Sequence, residues 1–160
     1  MECQSFEPVF THDSRVLILG SMPGIASLEA SQYYAHPRNA FWPVLFSYFG
    51  KSVSASYSDR CMLIRDNDLA LWDVCRTCQR EGSLDTAIRD AAFNDFHRIF
   101  DVCGIQAVLC NGQKAYCLFR RTGFFDSCPV FCMPSTSPAF TMPFQKKCSI
   151  WHDCLRQALA

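Results

Sequence analysis

Apolar residues in this chain fall in short blocks set apart by turn residues. Arg15–Leu19 (RVLIL) is a β-branched and leucine run that stops at Gly20, the pattern of a buried strand feeding a loop. Leu69–Val74 (LALWDV), Ile105–Cys110 (IQAVLC) and Pro129–Met133 (PVFCM) repeat it. Between these blocks the spacing turns helical. Ala40–Phe49 sets Phe41, Leu45 and Phe49 on one face, and Asp59–Asp68 reads as a second helix. Ser83–Cys103 fits one or two helices capped by Ser83 or Asp85, and Gln113–Arg120 fits a short one. Pro143–Leu159 closes the chain as an amphipathic helix with Ile150, Leu155 and Leu159 toward the core. Strands alternating with helices predict one domain over residues 1–160, a three-layer α/β/α sandwich with a mainly parallel four-stranded central sheet. Such folds bind ligands at the carboxyl ends of their strands. Three places qualify: the long loop after Leu19, the Asn111-Gly112 turn, and the loop after Met133.

Composition narrows the class. Hydrophobic residues at 49% and charged residues at 19% fit a globular chain, and no apolar run reaches bilayer length. The start, MECQSFEPVFTHDSR, lacks a basic, apolar leader, so an intracellular protein is expected, cytoplasmic or nuclear. The 11 cysteines are odd in number and scattered through apolar stretches, which fits reduced thiols packed in a core. Cys75 and Cys78 form a C-x-x-C pair, but Cys103, Cys110 and Cys117 supply no second pair, so neither metal nor cofactor is expected. Net charge is zero, yet residues 102–152 hold five basic side chains against Asp126 alone. Such a local excess suits a phosphate backbone, and equally a plain solvated surface.

Three segments carry candidate chemistry. GSMPG (Gly20, Ser21, Met22, Pro23, Gly24) follows a strand and lets backbone N–H groups face a cavity, though no lysine follows to make a phosphate loop. YYAHPRNAFWP (33–43) crowds rings beside hydrogen-bonding groups. Tyr34 suits stacking on a flat ligand. Asn39 suits two roles, capping the helix that follows or holding a base edge or a water. MPSTSP (133–138) puts small hydroxyl residues before the last helix, suited to capping or to a phosphate contact. The four histidines form neither a metal-binding pair nor a Ser-His-Asp order.

Together, Gly20-Ser21-Met22-Pro23-Gly24, the segment Tyr34 to Trp42, and Met133-Pro134-Ser135 resemble the uracil-DNA glycosylase superfamily, the spacing being nearest to the mismatch-specific uracil and thymine glycosylases. The likeness runs on through Gly112–Tyr116 and so covers most of the chain. Two positions depart from it. Met22 stands where those relatives carry a catalytic asparagine or aspartate, and Met133 where they carry histidine or asparagine. A methionine neither positions water nor stabilises a leaving anion. The whole pattern is more similar to the hypoxanthine-DNA glycosylase branch, in which the position of Asn39 is implied to carry catalysis.

The resemblance implies a monomeric, monofunctional enzyme that needs no cofactor and removes a deaminated base, hypoxanthine first, from DNA. It implies Tyr34 stacked on the flipped base, with Gly20 to Gly24, His36 and Asn111 around it. His36 also reads as a buried structural histidine. Ser135, Thr136, Ser137 and Lys146, with Lys147 beside it, would meet the DNA. Phe140 would fill the vacated stack or simply join the core. Residual uracil or mismatch excision, a catalytically silent lesion-binding module and a flavodoxin-type nucleotide-binding domain are the competing readings.

Overall fold

The computed structural model describes residues 1–160. The chain runs through β1 (Glu2–Gln4), β2 (Val16–Gly20), α1 (Ile25–Ala30), α2 (Phe41–Tyr48), α3 (Tyr57–Asp66), β3 (Leu69–Asp73) and β4 (Cys75–Gln79). A 3₁₀ turn (Asp85–Ala87), β5 (Arg89–Phe93), α4 (His97–Phe100), β6 (Ala107–Asn111), α5 (Gln113–Phe119), β7 (Val130–Met133) and α6 (Phe144–Leu159) complete it. The four predicted strands form the parallel sheet β3-β2-β6-β7 with helices on both faces, as the sequence pattern requires.

Strand alternation divides the interior in two. Val16, Ile18, Leu69, Leu71, Ala107 and Leu109 point to one face, where Phe41, Trp42 and Leu45 of α2 and Trp151 and Leu155 of α6 cover them. Leu17, Leu19, Ala70, Trp72, Val108 and Cys110 point to the other, against Phe96, Ile99, Leu118 and Phe119. Truncating one of these fully buried leucines costs about 2–5 kcal/mol. Six of the 11 free cysteines are buried, Cys75 and Cys78 among them, each taking the place of a small apolar residue.

The segment 75–103 differs from expectation. After Asp73 the chain is held to the end of β2 by Val74 N–H to Gly20 O (2.8 Å) and Cys75 N–H to Ser21 O (3.0 Å). It then turns into β4, which pairs antiparallel with β1 and β5 in a second, three-stranded sheet. Of the one or two helices expected over Ser83–Cys103, only the short α4 forms, and Arg89–Phe93 is instead strand β5. Its local helical spacing yields to pairing with β4, and Asp90 breaks the helix outright with a φ of 54°. The loop 21–39 also contains a helix, α1, that its polar, irregular pattern conceals.

Candidate active site

The carboxyl ends of β2, β3 and β6, with the loops 21–39 and 134–140, enclose a cavity of about 540 Å³. Gly20 to Gly24 form one wall, Tyr34, His36 and Asn39 a second, and Ser135, Thr136, Ser137 and Phe140 a third. The turn Ser83–Thr86 completes it, and Asp73 and Asn111 also line it.

The segment 33–43 is pinned before it reaches the cavity. Tyr33 donates its hydroxyl to Glu7 O (2.8 Å), Trp42 Nε1 donates to Tyr33 O (2.9 Å), and Ala35 N–H donates to Ser27 Oγ (3.1 Å). These ties hold Tyr34 in the left-handed region, φ 53°, at a backbone cost of about 1–3 kcal/mol. Its ring stacks on Phe41 at 4.1 Å and 22°. Phe41 is braced edge-on by Trp42 and Trp151. The stacking platform is thus built from the core outward.

Asn39 stands just before α2 and lines the cavity. Its Oδ1 accepts the N–H of Phe41 at 2.9 Å, an Asx turn leading into α2 whose N-cap position is Ala40, while Nδ2 makes no hydrogen bond on the cavity wall. His36 is half-buried and lines the cavity rather than the core. Its Nδ1 accepts the N–H of Arg38 (3.1 Å), which leaves Nε2 as the nitrogen that carries the proton in the neutral ring. Asn111 is tied up: Nδ2 donates to Thr136 Oγ1 (2.9 Å), and Oδ1 accepts Thr136 N–H (3.0 Å). Thr136 is itself buried, and its carbonyl accepts Ala40 N–H (2.9 Å). Its side chain is thereby turned from any phosphate toward the joint between β6 and the start of α2.

Met22 and Met133 are buried in opposite cores, Met22 also lining the cavity. Ser135 and Ser137 accept the N–H groups of Ser137 and Ala139 (both 3.2 Å), leaving both hydroxyl hydrogens unused by the fold. Phe140 is 43% exposed at the mouth of the cavity, so it is no core residue. Lys146 is exposed, outside the lining. Lys147, expected beside it at the DNA, is 4% exposed and spends its ammonium inside: Nζ donates to Ser137 O (3.1 Å) and sits 5.4 Å from the Phe140 ring centre.

Asp73 is the residue that sequence reasoning missed. It ends β3, in register with Gly20 of β2, and is 3% exposed. Gly20 is required here. A Cβ on it would lie 2.4 Å from Asp73 Oδ1 and 2.8 Å from Tyr34 Oη. Asp73 Oδ2 and Tyr34 Oη are buried with no hydrogen-bond partner. Burial, and then the neighbouring Asp85, lift the Asp73 carboxyl to about 7, against the pull of the Arg80 guanidinium. Burial first and Asp73 second raise the Tyr34 phenol, while the Asn111 amide, close by but outside hydrogen-bond geometry, acts the other way. Arg80 is itself buried, and its Nη2 donates to the carbonyl of Pro23, holding the glycine loop in place. Asp85 accepts the Ser21 hydroxyl at 2.6 Å. The clue in the sequence was a lone charge closing an apolar strand, LALWD, at the end where such folds keep their sites.

Loop, platform and amide converge on one cavity of nucleobase scale, and comparison with known proteins agrees with that class. The profile of the Uracil DNA glycosylase superfamily matches residues 7–158, and the chain belongs to that superfamily. It is 40% identical over 117 residues to a protein named hypoxanthine DNA glycosylase from Methanosarcina barkeri, covering 72% of this chain and 74% of the relative. A protein of the same name from Methanosarcina acetivorans is 33% identical over 114 residues, covering 70% and 72%. The solution NMR structure of a candidate uracil DNA glycosylase from Methanosarcina acetivorans superimposes with a TM-score of 0.83 at 29% identity, over 100% of both chains. No helix is long and apolar enough to cross a membrane.

Proposed function

We propose that this DNA glycosylase hydrolyses the N-glycosidic bond of deoxyinosine in DNA and releases hypoxanthine, acting as a monomer in base excision repair. One observation carries the reading: Asn39, with its Nδ2 unbonded, and the Phe41-backed Tyr34 ring line the same cavity. The names of the relatives from Methanosarcina support the choice of base.

The extruded nucleotide stacks its base on Tyr34, and Phe140 fills the gap left in the duplex. Extrusion costs a few kcal/mol, least for a weakly paired base such as hypoxanthine. As the C1′–N9 bond breaks, the electron pair moves onto the purine and the sugar becomes a cation that water captures at C1′, and the proton that this water sheds is balanced by protonation of the departing purine. Asn39 already gives Oδ1 to the Phe41 N–H, so its part is to donate from Nδ2 to the purine as charge develops. A preorganised donor of this kind is worth about 3 kcal/mol, roughly 10²- to 10³-fold in rate. Met22 offers no polar atom for a water-activating role, which sets the reading apart from excision led by the first loop. Ser135, Ser137 and Lys146 contact phosphates beside the lesion.

The test is release of base from oligonucleotides carrying hypoxanthine, uracil, xanthine or mismatched thymine, with Asn39→Ala and Asn39→Asp alongside. Hypoxanthine should be released fastest. Asn39→Ala should lose roughly 10²- to 10³-fold and only about 1 kcal/mol of stability. Asn39→Asp keeps the acceptor for the Phe41 N–H but not the donor, and should be just as impaired. Full activity of either variant would remove Asn39 from the chemistry, and uracil released as fast as hypoxanthine would remove the narrow substrate assignment.

A further inference from the structure

The cavity holds more polar groups than the reaction above employs, and most are already satisfied within the fold. Ser21 gives its hydroxyl to Asp85, Asn111 exchanges two bonds with Thr136, and Asn39 and His36 each accept a backbone N–H. Two atoms are not. Asp73 Oδ2 and Tyr34 Oη are buried beside the cavity without partners, on side chains drawn together over the bare Cα of Gly20. A buried carboxyl with nothing to bond destabilises a fold unless a ligand completes it.

The backbone beneath this carboxyl is fixed with care. Asn94 Nδ2 donates to Asp73 O (2.8 Å) and to Cys75 O (3.2 Å), anchoring the strand end on both sides of the side chain. The groups facing the carboxyl are Tyr33 and Tyr34 from the 33–43 segment, Cys75 at the start of β4, Arg80 after its end, and Asp85 in the 3₁₀ turn. None of them makes a salt bridge or hydrogen bond with it. Desolvation and Asp85 favour the acid form, which carries a donor and an acceptor side by side. That pair is the complement of a lactam, a ring N–H next to a ring carbonyl.

We propose that Asp73 reads the lactam edge of the extruded base, giving one hydrogen bond to the ring carbonyl oxygen and taking one from the adjacent ring N–H. This rests on the glycosylase reading above. Tyr34 then has two tasks: its face carries the base, and its hydroxyl adds a bond at the same edge. Hypoxanthine satisfies the pattern through O6 and N1–H. A base whose lactam nitrogen is methylated cannot.

The experiment measures excision and equilibrium binding of duplexes carrying hypoxanthine, 1-methylhypoxanthine or no lesion. It compares the wild type with Asp73→Asn and Asp73→Leu, between about pH 5.5 and about pH 8.5. Wild-type excision should fall as pH rises through about 7, where the donor is lost. Asp73→Asn keeps a donor and an acceptor without titrating, so it should stay within roughly tenfold of the wild type and lose this pH dependence. His36 and Asp85 are unchanged in that variant and cannot account for the difference. Asp73→Leu should lose at least roughly 100-fold, together with the preference for hypoxanthine over its methylated form, while its melting temperature holds or rises. An Asp73→Asn profile that still falls through pH 7, or an Asp73→Leu variant within about threefold of wild type, overturns the proposal. If the wild type releases no base yet prefers inosine-containing DNA through Asp73, the glycosylase reading fails and this one stands. If it shows neither release nor preference, both fail.

Discussion

Asp73 is set where it weakens the fold, and pH should expose this. Its carboxyl is lifted from 3.8 to about 7 by burial and by Asp85, so the folded chain keeps a proton that the unfolded chain has already released. The sign follows from that. The stability this group contributes is complete below about pH 4, declines as pH rises through about 7, and is level above. Asp73→Leu should therefore stabilise the protein by about 1–3 kcal/mol near pH 8 and by much less near pH 4. Thermal unfolding of both proteins across that range measures it, and a gain independent of pH would mean that the carboxyl does not titrate as described. The residues legible in the sequence were those with a local motif around them. Tyr34 and Asn39 sit among rings, a proline turn and a helix start, whereas Asp73 gains its meaning from Gly20 in the next strand, 53 positions earlier in the register pair. No window along the chain contains that pairing.

At the scale of elements, α6 works as a clamp as well as a cover. Lys147 lies in its first turn, where a cation gains nothing from the helix dipole, and burial pushes its ammonium pKa down. It is held there by the Ser137 carbonyl and the face of Phe140, while Phe140 N–H also donates to Ser137 O (3.0 Å). The 137–140 turn is thus fixed at both ends of its exposed phenylalanine. Lys147→Met keeps the apolar stem and removes the charge. It should cost about 1–2 kcal/mol of stability and slow excision from duplex DNA roughly tenfold more than from single strands, where no stack needs filling. Equal slowing on both substrates would show that Phe140 is not the wedge. The expectation that Lys147 joins Lys146 at the DNA fails because neighbours across a loop do not register in a helical repeat. The same blindness turned β5 into an expected helix: RDAAF has no strand alternation of its own, with burial falling mostly on its last three residues, and only β4 makes it a strand. Three of the four parallel strands were legible because each is buried on both faces and reads as an apolar run, and the edge strand β7 keeps an apolar run although only its Met133 is buried.

Across the whole molecule, neutrality hides a division of charge that should govern how DNA is held. The ion pairs join Met1 to Glu81, Arg15 to Asp68, His97 to Asp101, Arg98 to Glu7 and Arg156 to Asp153. Not one of Lys114, Arg120, Arg121, Lys146 and Lys147, the basic residues of 102–152, takes part. Lys147 is spent inside, and Lys114 follows the Asn111-Gly112 turn at the cavity. Arg38 stands exposed and unpaired between His36 and Asn39. Lys146 is exposed in the first turn of α6, next to the loop that carries Ser135, Ser137 and Phe140. Few phosphates can be met by so small a set, so affinity should depend on salt with a shallow slope, about −0.9 for each phosphate neutralised. Lys146→Ala should weaken binding to lesion-bearing and intact duplexes by the same factor and make that slope shallower by about 1. Fluorescence anisotropy over a salt series, with Asp73→Leu as the contrast, separates the two kinds of contact. The lysine variant should change the slope and leave the preference for inosine alone, and the aspartate variant should do the reverse. If Lys146→Ala leaves the slope unchanged, the phosphate-facing surface lies elsewhere on the molecule, and Arg38 and Lys114 become the residues to test.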